Sequence, residues 1–504
     1  MLNYWRIPSI YDIIIHFYKK ITRLDYMKFC YITLGCKVNQ YETQAIERIL
    51  TERGHIGAKI GAGCDVCIIN TCAVTAESVR KSRQAIRRAK KSEPGALVAV
   101  CGCLSQLDPS EIETLGVDVV GGSGGKLEFV SAIEQRLKDM LSQLGETNRQ
   151  ETDRLHETNA IDTLMHTHAA GICSSPKNGN SQPARNAEFE ELAPGTSADR
   201  TRGLLKIQDG CDNYCAYCII PYARGHARSL PRARAIEFAS SLAGQGYREI
   251  VVTGIEISAY GKDFAPVSAS VPARAPLLDV VRDISDAAPN ARLRLGSLDP
   301  GILSDSFCRE LSAISSICNH FHLSLQSGCD ATLQRMGRKY NTADTLRSIA
   351  LLRELFPGCA IAADLIVGFP GERDAEFDET LRFIKAANFA FMHIFPFSPR
   401  PGTAAANMPM QIPLDICRAR ASAASAIASE MSASFREAQV GKTLDVLFER
   451  ERCGYWYGHS SNYVEVAARG AIERNMLLPI HITHANPQSL PPLIFGEMLV
   501  QNAT

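Results

Sequence analysis

Cys211-Asp212-Asn213-Tyr214-Cys215-Ala216-Tyr217-Cys218 is the stretch on which the reading of this chain turns. Three thiols stand at i, i+4 and i+7, with an aromatic residue ahead of the last. Closed zinc and iron–sulfur sites usually take four such ligands. No fourth cysteine follows in Ile219-Ile220-Pro221-Tyr222-Ala223-Arg224-Gly225. A [4Fe–4S] cube held by three thiolates leaves one iron open to a small molecule. A partial zinc knuckle, or three unrelated thiols, is the alternative, and each requires ligands from elsewhere in the chain.

Around this loop, residues 199–435 alternate between strand-like and helix-like patterns. Leu204-Leu205-Lys206-Ile207-Gln208 reads as the strand that feeds the loop, and residues 249–253, 291–295, 320–324, 360–367 and 392–397 read as further strands. Six strand–helix units predict an incomplete (β/α)6 barrel, whose function gathers at the carboxyl ends of its strands. Candidates on that rim are Gly254-Ile255-Glu256, Ser297 with Asp299, Ser324 with Gln326, Asp364 and Gly368.

Residues 27–135 repeat the strand–helix alternation and predict a doubly wound parallel sheet. Ligands of such sheets bind beyond the strands' carboxyl ends. Cys36, Cys72 and Cys103 each follow a predicted strand, so the fold would bring three thiols far apart in sequence to one edge. Buried structural thiols are the plainer account, and that account serves for Cys30, Cys64, Cys67, Cys101, Cys173, Cys308, Cys318, Cys329, Cys359, Cys417 and Cys453. Arg80, Lys81, Arg83, Arg87, Arg88, Lys90 and Lys91 make a dense basic run, either a solvated helix face or a phosphate contact.

Composition narrows the rest. Of 504 residues, 54 are Lys or Arg and 54 are Asp or Glu, so nucleic-acid binding would rest on local patches. Seventeen cysteines in so long a chain point to a reducing, cytoplasmic setting and metal or redox chemistry. Residues 10–18 are apolar-rich, but Asp12 and His16 interrupt them, which predicts neither a membrane span nor a signal peptide; residues 1–26 read as an extension. Residues 136–198 are polar and read as a flexible linker. From 439 onward the pattern alternates, predicting a small closed β-barrel over residues 436–504. Six Lys or Arg face seven Asp or Glu from Arg436 on, so RNA binding there would need stacking by Tyr455, Trp456 or Tyr457, although an aromatic barrel core explains them equally well.

Cys211, Cys215, Tyr217 and Cys218 match the Cx3CxΦC signature of the radical S-adenosylmethionine (SAM) enzymes, which the central region resembles. Leu34-Gly35-Cys36-Lys37-Val38-Asn39-Gln40-Tyr41-Glu42, Ile69-Asn70-Thr71-Cys72-Ala73-Val74-Thr75, Cys101-Gly102-Cys103, Met336-Gly337-Arg338-Lys339-Tyr340 and Phe397-Ser398-Pro399-Arg400-Pro401-Gly402-Thr403 look like methylthiotransferase segments. The C-terminal region resembles the TRAM domain, an RNA-binding barrel. The resemblance implies two [4Fe–4S] clusters, on Cys36/Cys72/Cys103 and on Cys211/Cys215/Cys218, with Cys103 selected over Cys101 because the third ligand follows a glycine. It implies SAM along the barrel rim, with Tyr217, Gly254 and Glu256 about it. Arg338, Lys339 and Arg400 would meet a phosphate or the SAM carboxylate, or stand in solvent.

The implied reaction cleaves SAM by one electron, activates a C–H bond, inserts sulfur and methylates it. Within the family the Lys37–Glu42 stretch, Val74-Thr75 and Lys81-Ser82-Arg83-Gln84 look most like the branch acting on N6-threonylcarbamoyladenosine (t6A) beside the tRNA anticodon. Other branches act on isopentenyladenosine or a ribosomal protein. Implied partners are tRNA, a one-electron donor such as flavodoxin or ferredoxin, and a sulfur donor, with no membrane. A radical SAM methylase without sulfur insertion would need one cluster; a noncatalytic RNA-binding protein would hold zinc.

Overall fold

The computed structural model describes residues 26–154, 188–195, 200–264, 275–486 and 493–498. The predicted N-terminal extension, apart from Tyr26, and Cys173 lie outside these residues. Two compact units divide the chain, residues 1–73 with 77–181 and residues 74–76 with 182–504.

The first unit is the expected parallel sheet. Strands β1 (Lys28–Thr33), β2 (Ile56–Gly57), β3 (Val66–Thr71), β4 (Leu97–Gly102) and β5 (Val119–Val120) lie in the order β2-β1-β3-β4-β5, all parallel. β3 and β4 are buried along their whole length, as a sheet covered on both faces requires. Helix Lys37–Glu52 follows β1 and helix Ala76–Ser92 follows β3. The last helix, Lys126–Arg154, runs on into the segment read as linker. One glycine, Gly145, and no proline interrupt it, and its Lys, Glu, Gln and Arg are good helix formers.

The second unit contains the incomplete barrel. β6 (Arg202–Lys206), β9 (Glu249–Thr253) and β10 (Arg292–Leu295) pair in parallel in the order β10-β9-β6. A short antiparallel pair, β7 (Gln208–Asp209) with β8 (Arg228–Ser229), closes the loop that carries Cys211 to Cys218. β11 (His320–Gln326), β12 (Ala360–Val367) and β13 (Phe391–Pro396) form a second parallel group. Bridges Leu293–Ile317 and Leu298–Leu323 join the two groups. On every strand alternate residues, such as Leu205, Val252, Leu293, Leu323 and Leu365, join one large core shared with the helices, which leaves the intervening residues to the inner face.

Helix Leu414–Glu437 leads to a closed barrel ordered β14-β15-β16-β18-β17, comprising Thr443–Arg452, Tyr455–Ser460, Glu465–Arg469, Leu493–Met498 and Leu477–Asn486 respectively. Val446, Phe448, Val466, Ile480, Ile482 and Ile494 fill it. This barrel belongs to the same compact unit as the strands above. Arg292 and Arg294 explain the attachment: both grip buried Glu249 at 2.7 Å, and their remaining N–H groups donate to the carbonyls of Asp445, His459, Ser460 and Ser461.

Candidate functional site

The Cys211–Cys218 loop is held from beneath by charge. Asp209 is almost fully buried, with Lys206 at 2.7 Å and Arg224 and Arg228 each at 3.1 Å. Burial works against its charge, but the three cations outweigh that and keep its carboxyl well below the usual carboxylate range. The loop is also stitched to distant backbone: Cys211 N–H donates to Gly225 O, Ala216 N–H to Met336 O, and Ala405 N–H to Ala216 O. Tyr217 packs against the cluster of Met336, Phe369, Phe397 and Ala405, so the aromatic residue of the motif anchors the loop.

Burial pushes the thiols of Cys211 and Cys218 up to about 12. As thiolates they need a metal to take their charge. Arg338 donates through Nη1 to Cys215 Sγ at 3.3 Å and through Nη2 to Asp299 Oδ2 at 2.7 Å. It is therefore an interior residue; the exposure that its sequence context allows falls to Lys339.

Cys215, Glu256, Ser258, Asp299 and Arg338 line a cavity of ≈ 380 Å³. Glu256 caps the turn Ile257–Ala259 by accepting from Ser258 N–H. Burial, then the neighbouring Asp299, raises its carboxyl to about 6. Gly254 sits against Gln208: a Cβ there would lie 2.9 Å from both the Cβ and the carbonyl oxygen of Gln208. Gln208 Oε1 in turn accepts from Glu256 N–H at 2.8 Å. Glycine at 254 is thus explained by close packing that sets the Glu256 loop.

In the first unit, Cys36 precedes helix Lys37–Glu52, Cys72 follows β3, and Cys103 opens helix Cys103–Leu107 after β4. They stand at the carboxyl ends of three adjacent strands. Neutral side chains bind these ends together. Asn39 Nδ2 donates to Leu34 O and Thr71 O, Asn70 Nδ2 to Asn39 O, and Thr71 Oγ1 to Cys101 O. A Cβ on Gly35 would approach Cys72 Sγ to 3.0 Å, which measures how near the two loops come. Gly102, at φ 104°, has Thr71 O and N within 2.7 Å of where a Cβ would stand, so only glycine admits the turn into Cys103. Cys101 lies on the strand itself, opposite Asn70 in register, fully buried.

Helix Ala76–Ser92 leaves much of its basic run exposed. Arg80 pairs with Glu77, Arg83 with Glu111, and Lys90 donates to Leu115 O and Gly116 O. In the barrel, Trp456 packs on the core, whereas Arg469 covers the Tyr455 ring at 4.1 Å and Arg450 covers Tyr457 at 5.8 Å. Sequence reasoning missed the Asp209 network, and it missed His322 and His393 beside Asp364. Alternating polar residues in His320-Phe321-His322-Leu323-Ser324 were the available signal for His322. No helix among the described residues is long and apolar enough to cross a membrane.

Comparison with known proteins matches residues 205–384 to the radical SAM superfamily and residues 28–122 to the uncharacterized protein family UPF0004. The chain is 34% identical to the threonylcarbamoyladenosine tRNA methylthiotransferase MtaB of Bacillus subtilis, over 87% of this chain and 89% of that one. It is 32% identical to the protein of that name from Thermotoga maritima, over 89% and 92% respectively. A tRNA-2-methylthio-N(6)-dimethylallyladenosine synthase of Sphingopyxis alaskensis is 30% identical over 91% of this chain and 95% of its own.

Proposed function

The chain belongs to the tRNA methylthiotransferases of the radical SAM superfamily, and we propose on that footing that it converts N6-threonylcarbamoyladenosine in tRNA to its 2-methylthio derivative. The observation that carries the reading is the identity of 34% over 444 residues to a relative named for that reaction. Two three-cysteine sets, each beyond strand carboxyl ends, support it.

The donor sets fit the cofactors that the family uses. Thiolates are the ligands iron–sulfur clusters take, and none of the six cysteines is joined in a disulfide. Cys211, Cys215 and Cys218 would hold one [4Fe–4S] cluster, and Cys36, Cys72 and Cys103 the other. Bound SAM and the clusters supply the radical, the sulfur and the methyl group. The chain's own residues do the rest. Glu256 offers a carboxylate to the methionine amino group, on a loop that Gly254 lets pack against Gln208. Arg338 stabilises the Cys215 thiolate and fixes Asp299. Tyr217 keeps the loop seated. The electron donor would be flavodoxin or ferredoxin in class, a separate donor would renew the sulfur, and the cytoplasm supplies both.

Mass spectrometry of tRNA nucleosides from a deletion strain tests the substrate. Loss of methylthio-threonylcarbamoyladenosine, restored by this gene, is expected. Unchanged levels of that nucleoside, with loss of the methylthio-dimethylallyl form instead, would move the protein to the other branch.

A further inference from the structure

His322 on β11, Asp364 on β12 and His393 on β13 sit on adjacent strands, with Asp364 directly opposite His393 in register. Their neighbours Phe321, Leu323, Ala363 and Leu365 are in the core, so these three polar residues share the inner face. One ligand atom from each lies within 4.8 Å of the other two.

The contacts of His322 point to a cation. Its Nε2 stands 3.1 Å from Asp364 Oδ1. Yet that buried nitrogen has no hydrogen-bond partner among the described residues. A nitrogen and a carboxylate oxygen this close, with no hydrogen bond between them, are spaced to serve one cation jointly. The other ring nitrogen, Nδ1, meets Ser297 Oγ at 3.5 Å. That hydroxyl can accept from Nδ1–H, and in that tautomer Nε2 carries the lone pair a metal would take. The His322 and His393 ring centroids are 5.5 Å apart.

We propose that His322, Asp364 and His393 bind one divalent first-row transition-metal ion, separate from both cysteine sets. Two imidazoles and a carboxylate suit zinc or iron(II), and three protein ligands leave at least one coordination position open. The open position faces the inside of the strand arc, where it would accept an oxygen donor. None of this depends on which nucleoside is modified.

The test uses the full chain, anaerobically reconstituted until its iron content is constant, then dialysed against Zn2+ and desalted. One zinc per chain above the cluster iron is expected. His322→Ala and Asp364→Asn should each lose that zinc while iron is unchanged. His393→Gln, at an exposed position, gives a third reading should either variant fold poorly. No retained zinc in the unsubstituted protein overturns the proposal. Equal zinc in all variants also overturns it, because the ion then sits on cysteines. The readout is metal content, so an error about the tRNA substrate leaves it intact.

Discussion

The two cysteine sets proposed to hold clusters are positioned by opposite means. Cys211, Cys215 and Cys218 come from one short loop, and that loop is held by charge: Asp209 beneath it, with Lys206, Arg224 and Arg228. Cys36, Cys72 and Cys103 come from three strand ends, held by the neutral side chains of Asn39, Asn70 and Thr71. A local set needs an anchor, because a loop alone does not fix its thiols. A dispersed set inherits its geometry from the sheet, and needs only that each strand end turn correctly.

Removing a ligand should separate the two most sharply. Cys215→Ala and Cys103→Ala should each lower iron from about eight to about four per chain. SAM cleavage should disappear in the first and persist in the second, while product is lost in both. Cys101→Ala should keep full iron. If Cys101→Ala loses iron and Cys103→Ala does not, the third ligand is misassigned and the turn at Gly102 serves something else.

The anchors should differ next. Asp209→Asn leaves three buried cations without their anion, a change worth about 3–5 kcal/mol in comparable sites. Asn70→Ala removes neutral hydrogen bonds and should cost about 1–3 kcal/mol. Denaturant melts of both variants measure this. The pH dependence sharpens it. The folded carboxyl of Asp209 is depressed, so its stabilisation is present above its unfolded value of about 3.9 and lost as pH falls through the lower folded value. Asp209→Asn should flatten that acid limb, whereas Asn70→Ala should not touch it. Equal acid limbs in both variants would show that charge is not what seats the loop.

Much of this was legible in the sequence, for physical reasons that also mark the limit. Cysteine spacing survives in the chain because a local loop fixes it, and strands β3 and β4 announce themselves as unbroken apolar runs. The sheet's carboxyl edge follows from topology, so even the dispersed thiols could be placed. What could not be read was burial of charge. Lys206, Arg224 and Arg228 look like surface residues until the β7–β8 pair folds them over Asp209, and Arg338 gains its interior place from Asp299 and Cys215, both remote in sequence. Strand β15 begins at Tyr455-Trp456-Tyr457, where the rings alone favoured neither stacking nor an aromatic barrel core. His322 and His393 belong to different strands and meet only through register, which no local pattern records.

The smallest expected effect concerns Glu256, which shares the cavity beside the local set with Asp299 and Arg338. Its carboxyl titrates at about 6, raised by burial and then by Asp299. The protonated form therefore favours the fold fully below the unfolded value of about 4.3, and that contribution is gone once pH has risen through about 6. Binding a cationic amino group reverses the preference, since only the carboxylate attracts it. SAM affinity should accordingly strengthen as pH rises through about 6 and level off above. Glu256→Gln should abolish that pH dependence and weaken SAM binding on the order of tenfold at neutral pH, the worth of one charge-assisted hydrogen bond. Equilibrium dialysis of labelled SAM against the reconstituted protein measures both. A variant that binds more weakly but keeps the same pH profile would assign the titration to another group, and leave Glu256 as the cap of its own turn.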